Sequence, residues 1–347
     1  MNESSRPSPR QRNFRFTLAA AVVIAAVLGV ILARQGNITA VKPTEVPTIR
    51  IGTLQYGTVN WELDVIKHAG LDVKNGIKIE AVPLASKNAT AVALQGGAVD
   101  VIVTDWIWVS RQRASGIDYS FFPHSVAAGG IVVRPDSGIV SLADLKGKKI
   151  GIAGGPVDKS WLLLRAYARK KLGGDLATAV QPVYGAPPLL NDLMLKGDIP
   201  AVLTFWNFEA RLKAKGMQQL VTIPEVLKAL GAVKEVPVVG WVFSDAWAAK
   251  NPEAIKGFLR ASQEAKAILA KSDDEWVRLK PMLEADDDAT LIALRDAYRA
   301  GIPSASPQED ADSSRAIYSV LAELGGPDLV GDSTELKPGT FWTGSLN

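Results

Sequence analysis

Cysteine is absent from the 347 residues, and histidine occurs only as His68 and His124. The lack of thiols excludes disulfides, thiolate metal sites, cysteine nucleophiles and a lipidated N-terminal cysteine. Neither histidine has an evident serine and aspartate partner in the sequence. There is no HExxH motif, and potential metal ligands do not cluster. We therefore expect no catalytic residues, no metal site and no cofactor.

The body of the chain also lacks an excess of positive charge. Residues 1–40 contain five arginines and a single acidic residue, whereas the remaining residues are nearly balanced. The net charge of +3 thus belongs to the leader, and no nucleic-acid partner is expected. Residues 17–33 carry no charge and would span about 25 Å as a helix, slightly less than a bilayer core of ~30 Å. Residues 1–40 therefore predict either a cleaved signal peptide or an uncleaved N-terminal membrane anchor, formed by a transmembrane helix. Both place the body outside the cytoplasm.

Strand-like and helix-like segments alternate along most of the body. The stretch LQGGAVDVIVTDWIW at residues 94–108 is the clearest example. Two glycines end a helix, a strand over residues 99–103 is apolar on both faces, and a new helix follows. Strands of this kind are typical of parallel sheets covered by helices.

The alternation pauses at the turn RPDSG, residues 134–138, then restarts and ends with a strand over residues 236–243. The remaining residues have helical periodicity. The pattern predicts an α/β protein with two lobes, a ligand cleft between them and a helical C-terminal region. One lobe would comprise residues 41–133 plus 237–347, and the other residues 134–236.

Ligands of open α/β sheets sit beyond the carboxyl ends of the strands, so the loops found there supply the candidate site. Five such loops offer aromatic, amide or charged side chains. In chain order the candidates are Tyr56 and Trp61, Lys87 and Asn88, Asp105 and Trp106, Asp158 and Lys159, and Trp206 and Asn207.

Each candidate has a plainer structural alternative. Tyr56 and Trp61 would pack on a helix, and Lys87 would lie in solvent after a serine cap. Asp105 and Asp158 would cap helices, while Trp106 would belong to the core. The loop before Asp158 is glycine-rich but does not match the GxxxxGK[ST] phosphate-binding motif.

The composition of the five loops limits the ligand. Arginine, whose guanidinium is the best bidentate donor for nitrate or sulfonate oxygens, is absent from all of them. A small organic molecule with an apolar or aromatic body fits these loops better than a simple inorganic anion does. Such a molecule could also carry an amine that binds Asp105. Taurine-like zwitterions and pyrimidine-like rings both satisfy this description. Arg134, at the expected crossing between lobes, is interpreted either as a cleft residue or as a hinge contact.

The order of several motifs resembles a known family. The motifs are IRIGTLQYG at residues 49–57, ALQGGAVDVIVTDW at 93–106, GGIVVRPDSGIVSLADLKGKKIGIAGG at 129–155 and WVFSDAWAAKNPEAIKGFLRA at 241–261. This series is similar to the periplasmic substrate-binding proteins of ABC importers, in the nitrate/sulfonate/taurine branch that includes binders of thiamine pyrimidine precursors.

The resemblance implies a periplasmic-binding-protein type II fold. It also implies a periplasmic, monomeric protein that closes its lobes on a small molecule and delivers it to an ABC permease in the inner membrane. Two alternatives stay open. One is an enzyme on the same fold, of the pyrimidine-precursor or menaquinone-pathway type, and the other is an anchored sensor or adaptor.

Overall fold

Two five-stranded sheets organise the protein. The structure is a computed structural model that describes residues 46–346, so the expected signal peptide or anchor in residues 1–40 lies outside the described residues. Each sheet is flanked by helices, which confirms the predicted α/β, two-lobed fold class. Within residues 46–346, every helix is too short or too polar to span a lipid bilayer.

The first sheet belongs to the first lobe and has the order β2-β1-β3-β10-β4. Strands β1 to β3 are parallel, whereas β10 runs antiparallel to β3 and β4. The strands are β1 (Thr48–Leu54), β2 (Lys78–Leu84), β3 (Val101–Thr104), β4 (Tyr119–Ser125) and β10 (Val239–Ser244).

The second sheet belongs to the second lobe and has the order β7-β6-β8-β5-β9. Strand β6 is parallel to β7 and β8, and β5 is antiparallel to β8 and β9. The strands are β5 (Gly130–Val133), β6 (Lys149–Ala153), β7 (Gln181–Gly185), β8 (Ala201–Thr204) and β9 (Gln218–Thr222).

The helices follow the strands in chain order. Those before the second sheet are α1 (Val59–His68), α2 (Leu71–Lys74), α3 (Lys87–Gln95) and α4 (Trp106–Ala114). Those within the second lobe are a 3₁₀ turn (Leu142–Leu145), α5 (Lys159–Leu172), α6 (Leu176–Ala179), α7 (Pro187–Lys196), α8 (Trp206–Ala214) and α9 (Ile223–Leu230). The C-terminal helices are α10 (Asp245–Lys250), α11 (Pro252–Lys271), α12 (Asp273–Leu283), α13 (Asp288–Ala300) and α14 (Pro307–Val330).

Local sequence signals explain several of these boundaries. Val101 and Ile102 are both fully buried although adjacent strand residues face opposite sides of the sheet, because helices cover both sides. The strand starts two residues later than the apolar pattern predicts. Helix α5 ends at Gly173, which adopts a left-handed conformation after a basic last turn.

The first crossing between the lobes differs from the prediction. Strand β5 pairs with β8 and β9, so it belongs to the second sheet and not to the first lobe. The chain therefore crosses between Ser125 and Gly130, before the turn at residues 134–138. Gly129 has a φ of 82°, and a Cβ atom there would lie 2.2 Å from the carbonyl oxygen of Thr204. Only glycine fits this close approach.

The C-terminal region also departs from the expected division, because it is not confined to one lobe. Helix α14 packs against α4 of the first lobe and α5 of the second. One continuous apolar core includes Trp106 and Trp161, one from each lobe, together with Ile317 and Tyr318 of α14. Helix α14 thus joins the two lobes on the side where the chain crosses back.

Candidate functional site

An ion pair joins the lobes at the carboxyl end of β3. Asp105 is the N-cap of α4, and its Oδ1 accepts a 2.9 Å hydrogen bond from the Trp108 amide. Its other oxygen accepts a 2.9 Å hydrogen bond from Nζ of Lys159, the first residue of α5 in the second lobe. Asp105 therefore caps a helix, as its structural alternative predicted, and it also contacts Lys159.

The pair is held in its charged form. Burial alone would raise the pKa of Asp105, but the Lys159 ammonium, together with Lys87 and the Trp108 amide, lowers it below its ordinary value. Burial likewise favours neutral Lys159, yet attraction to Asp105 raises its pKa. Opposite charges at this distance in a partly dehydrated site stabilise one another.

Two further charged candidates belong to the same cluster. Asp158 caps α5, its Oδ1 accepting hydrogen bonds from the amides of Ser160 and Trp161 at 2.9 and 3.2 Å, and burial raises its pKa. Lys87 begins α3 after the Ser86 cap and is exposed. The surrounding protein still removes part of its hydration, and together with the charge of Lys159 this lowers the pKa of Lys87. Asn88 is the next, exposed residue of α3.

A cavity of about 700 Å³ lies between the lobes. Tyr56, Trp61 and Asn207 of the predicted set line it. Tyr56 is 85% exposed, as expected for a ring at a cavity mouth, whereas Trp61 is 5% exposed. The first lobe contributes residues from 55–61 and 281–286, and the second lobe contributes residues of α7 and α8. The volume and the mixed polar and aromatic lining suit a small organic molecule.

Trp206 connects the cavity wall to the first lobe. Its ring centroid lies 5.8 Å from that of Trp61 in an edge-to-face arrangement and 6.3 Å from that of Tyr298. The Trp276 ring also packs edge-to-face against Trp61, at a centroid distance of 6.2 Å. Both Trp61 and Trp206 therefore act mainly as packing residues, with part of Trp61 reaching the cavity.

The sequence reasoning missed Arg211, which lines the cavity from α8. Its guanidinium donates hydrogen bonds to the carbonyl oxygens of Leu283 and Glu284, at 2.6 and 2.9 Å. Desolvation lowers its pKa. Arginine is thus absent from the five loops but present one helical turn beyond the last of them. The predictable helix that begins at Trp206 could have indicated Arg211, because residues four apart, such as Asn207 and Arg211, lie on the same face of a helix.

Asn191 is a second cavity residue that the loops did not suggest. It is 8% exposed and donates from Nδ2 to the Phe208 carbonyl at 3.1 Å. Its Oδ1 has no hydrogen-bond partner in the described part of the chain. A buried amide oxygen in the wall of a cavity is an acceptor available to a donor group.

Two predicted roles do not agree with the placement of the residues. Trp106 is 3% exposed, donates from its indole to the Pro237 carbonyl at 2.7 Å and packs in the core. The Trp106 side chain is therefore a core residue, which was the structural alternative to ligand contact. Arg134 bonds to Asp136 and to the Met194 carbonyl within the second lobe, so it is neither a cleft residue nor an interlobe contact.

His124 is surrounded by polar side chains that are distant in sequence. Lys266 Nζ lies 2.9 Å from its Nδ1, and Lys266 also pairs with Glu62. Ser262 and Tyr298 donate to the same carboxylate. Burial and the Lys266 charge lower the pKa of His124 to about 3. Glu62 is fully buried and His124 is 5% exposed, so the cluster lies within the core of the first lobe.

No group of three or more His, Asp or Glu side chains within residues 46–346 is arranged to hold a metal ion. Asp287 instead caps α13, accepting a 2.7 Å hydrogen bond from the Thr290 amide. The candidate residues thus form two groups: the charged cluster of Lys87, Asp105, Asp158 and Lys159, which follows strands β2, β3 and β6, and the mixed cavity lined by Tyr56 and Asn207.

Two sheets of this order, a double crossing and a cavity between the lobes define the periplasmic-binding-protein type II class. The family model described as NMT1/THI5 like matches residues 63–275, and the chain belongs to this family. Among curated protein sequences, none matches this chain significantly.

Solved structures share the fold over most of the chain. The periplasmic aliphatic sulphonate binding protein SsuA from Escherichia coli is 21% identical with a TM-score of 0.63, covering 85% of this chain and 99% of that one. The alkanesulfonate-binding protein SsuA from Xanthomonas axonopodis pv. citri, bound to MOPS, is 17% identical with a TM-score of 0.61, covering 85% and 98%. The periplasmic nitrate-binding protein NrtA from Synechocystis PCC 6803 is 12% identical with a TM-score of 0.56, covering 86% and 92%. The family match and these folds confirm the resemblance inferred from the ordered motifs.

Proposed function

We propose that the protein is the extracytoplasmic solute-binding component of an ABC importer. It captures a small organic molecule, sulfonate/taurine-like or pyrimidine-like, by closure of the lobes and delivers it to a membrane permease. The observation that carries the proposal is the cavity of about 700 Å³ whose wall comes from both lobes. A ligand that contacts both lobes favours their closed arrangement by its differential affinity for it.

The comparisons support a binding role. Solved proteins of the same fold bind sulfonates or nitrate, and two of them are described as periplasmic. The fold, the aromatic and amide lining and the charged cluster together favour reversible binding without turnover. On this proposal the protein acts in the periplasm as a monomer, either free or tethered by its N-terminus.

Titration calorimetry on the purified full-length protein tests the proposal. The panel contains nitrate, alkanesulfonates, taurine and pyrimidines. We expect saturable one-to-one binding of one class, and mass spectrometry of the recovered solute should show it unchanged. A chemically altered solute, or no binding across the panel, would contradict the proposal.

Tyr56→Ala tests whether the cavity is the binding site. Tyr56 is exposed and lines the cavity, so its removal should weaken binding about tenfold, or ~1.4 kcal/mol, with little change in stability. Tyr184→Ala is the matched control, because Tyr184 is an exposed tyrosine of β7 outside the cavity lining. Equal affinities in the two variants would place the ligand elsewhere.

A further inference from the structure

The carboxylate of Asp105 is already engaged on both oxygens. Oδ1 accepts the Trp108 amide and Oδ2 accepts Lys159 Nζ, both at 2.9 Å. The side chains of Asp105 and Lys159 are 14% and 30% exposed, so the pair is shielded from bulk water. Such a pair is screened less than a surface pair and resists substitution by another cation.

The second lysine of the cluster has a different status. Lys87 Nζ forms no hydrogen bond or ion pair with any residue in the 46–346 range, and its charged neighbours act on it only at longer range. Lys159, one of these neighbours, repels it. Lys87 is therefore the cation whose charge is least compensated at this end of the cleft.

Asp158 does not offer an alternative place for a cation. Its Oδ1 already accepts two backbone amides at the start of α5, and a Cβ atom on Gly154 would lie 2.5 Å from its Oδ2, so the loop closes over it. Burial also raises its pKa, which weakens it as a partner for a cation.

We propose that Lys159 is a specificity-determining residue, because it occupies Asp105 and so excludes ligands that carry an amine. The site then selects acidic ligands without an amino group, whose negative charge Lys87 attracts. This inference rests on the proposed binding function and narrows its ligand class. A ligand ammonium would have to displace Lys159 from Asp105 and leave two lysine ammonium groups facing each other. A ligand that carries only a sulfonate or carboxylate group adds a negative charge beside Lys87 and leaves the pair intact.

Two ligands that differ in a single amino group test this. Ethanesulfonate and taurine (2-aminoethanesulfonate) are titrated into the full-length protein by calorimetry. We expect ethanesulfonate to bind at least tenfold more tightly than taurine. Lys159→Met removes the ammonium but keeps an unbranched side chain, which frees Asp105. The variant should bind taurine more tightly and ethanesulfonate more weakly than the wild type, and so reverse the preference.

Lys170→Met is the control, since Lys170 lies on the same helix and donates to the Ala229 carbonyl away from the cluster. It should keep the wild-type ratio of affinities. Asp105→Asn provides a second variant if Lys159→Met is unstable. Its side-chain oxygen still accepts the Trp108 amide, and without the carboxylate it should gain no affinity for taurine.

The outcomes separate this inference from the proposed function. Wild-type protein that binds taurine as tightly as ethanesulfonate, or a Lys159→Met ratio equal to that of the wild type, overturns the inference. Binding of another solute class but of neither sulfonate also overturns it, while the binding function stands. Failure to bind any solute overturns the proposed function and the inference with it.

Discussion

Asp310 carries a carboxyl group that is buried in α14. It is 1% exposed, and neither of its oxygens is bonded to any residue from 46 to 346. Burial, together with the nearby carboxylates of Glu235 and Glu309, raises its pKa from the ordinary value of 3.8 to about 7. The folded protein therefore favours the protonated form.

Because the folded pKa of about 7 lies above the ordinary value of 3.8, the contribution of Asp310 to stability is fully present below pH 3.8 and is lost as the pH rises to 7. Asp310→Asn cannot ionise. It should therefore be more stable than the wild type at pH 8, by on the order of 2–3 kcal/mol, with the difference disappearing near pH 4. Urea unfolding at pH 4, 6 and 8 measures this.

Asp312→Asn is the control for this prediction, because Asp312 is an exposed aspartate of the same helix that bonds to Arg315. Its stability relative to the wild type should hardly change between pH 6 and 8. His124 acts in the opposite direction, since its folded pKa of about 3 makes stability fall as the pH drops below 6.5. His124 is present in the wild type and in both variants, so its contribution cancels when their stabilities are compared at the same pH. A wild type and Asp310→Asn with parallel pH profiles would show that Asp310 ionises freely.

At the residue scale, sequence reasoning was best where the chemistry is local. The caps at Ser86, Asp105 and Asp158 follow from residue type and position alone, and the structure contains all three. Whether a capping side chain also meets a charge from the other lobe depends on how distant loops meet. The Asp105–Lys159 pair and the polar shell of His124 join residues more than 50 positions apart, and no local pattern encodes them.

Among the elements, the segment that leads into β5 is the most constrained. Gly129 has a left-handed φ, and its Cβ position is blocked by the backbone of Thr204 and Trp206. Strand β5 then inserts between β8 and β9. The crossing thus depends on a backbone approach that no side chain permits.

Gly129→Ala should destabilise the protein by at least about 3 kcal/mol, because it combines an unfavourable φ with a backbone collision. Gly116→Ala separates the two effects. Gly116 has a φ of 80°, but a Cβ atom there meets nothing within 4 Å, so the cost should stay near 1 kcal/mol. Guanidinium unfolding of both variants measures the difference. Similar losses would mean that the crossing adjusts to the added methyl group.

The extents of the elements were predictable wherever a strand or helix ends at a strong signal. The predicted strands at residues 99–103 and 236–243 are present as β3 and β10, with bounds that differ by one to three residues. Their assignment to a sheet was harder. The residues that form β5 were placed in the wrong lobe, because the turn at residues 134–138 resembles a crossing more than the small residues before β5 do.

Considered as a whole molecule, the lobes are joined by more than the two chain crossings. Helix α8 of the second lobe packs against α13, and Trp206 contacts Trp61 and Tyr298. Arg211 adds hydrogen bonds to the end of α12. One side of the cleft is therefore held together by contacts that lobe movement must preserve or break.

Arg211→Met should loosen that side. It removes two charge-assisted hydrogen bonds, each worth about 1.5–3 kcal/mol, so amide exchange in α8 and residues 281–286 should become at least tenfold faster. Hydrogen–deuterium exchange with mass spectrometry measures this. Arg260→Met is the matched control, since Arg260 also donates a hydrogen bond to a backbone carbonyl, but only within the first lobe. Unchanged exchange in α8 would show that aromatic packing alone holds the two lobes there.

The sequence by itself determined the alternation of strands and helices, the helix caps, the two-lobed class and the loops that border the cleft. These depend on apolar periodicity and backbone preferences, which act over a few residues. The tertiary structure alone decided that Lys159 meets Asp105, that Arg211 lines the cavity and that Trp106 lies in the core. Those contacts depend on the angle and distance between two sheets. Packing across the whole molecule sets that geometry, and no short stretch of sequence records it.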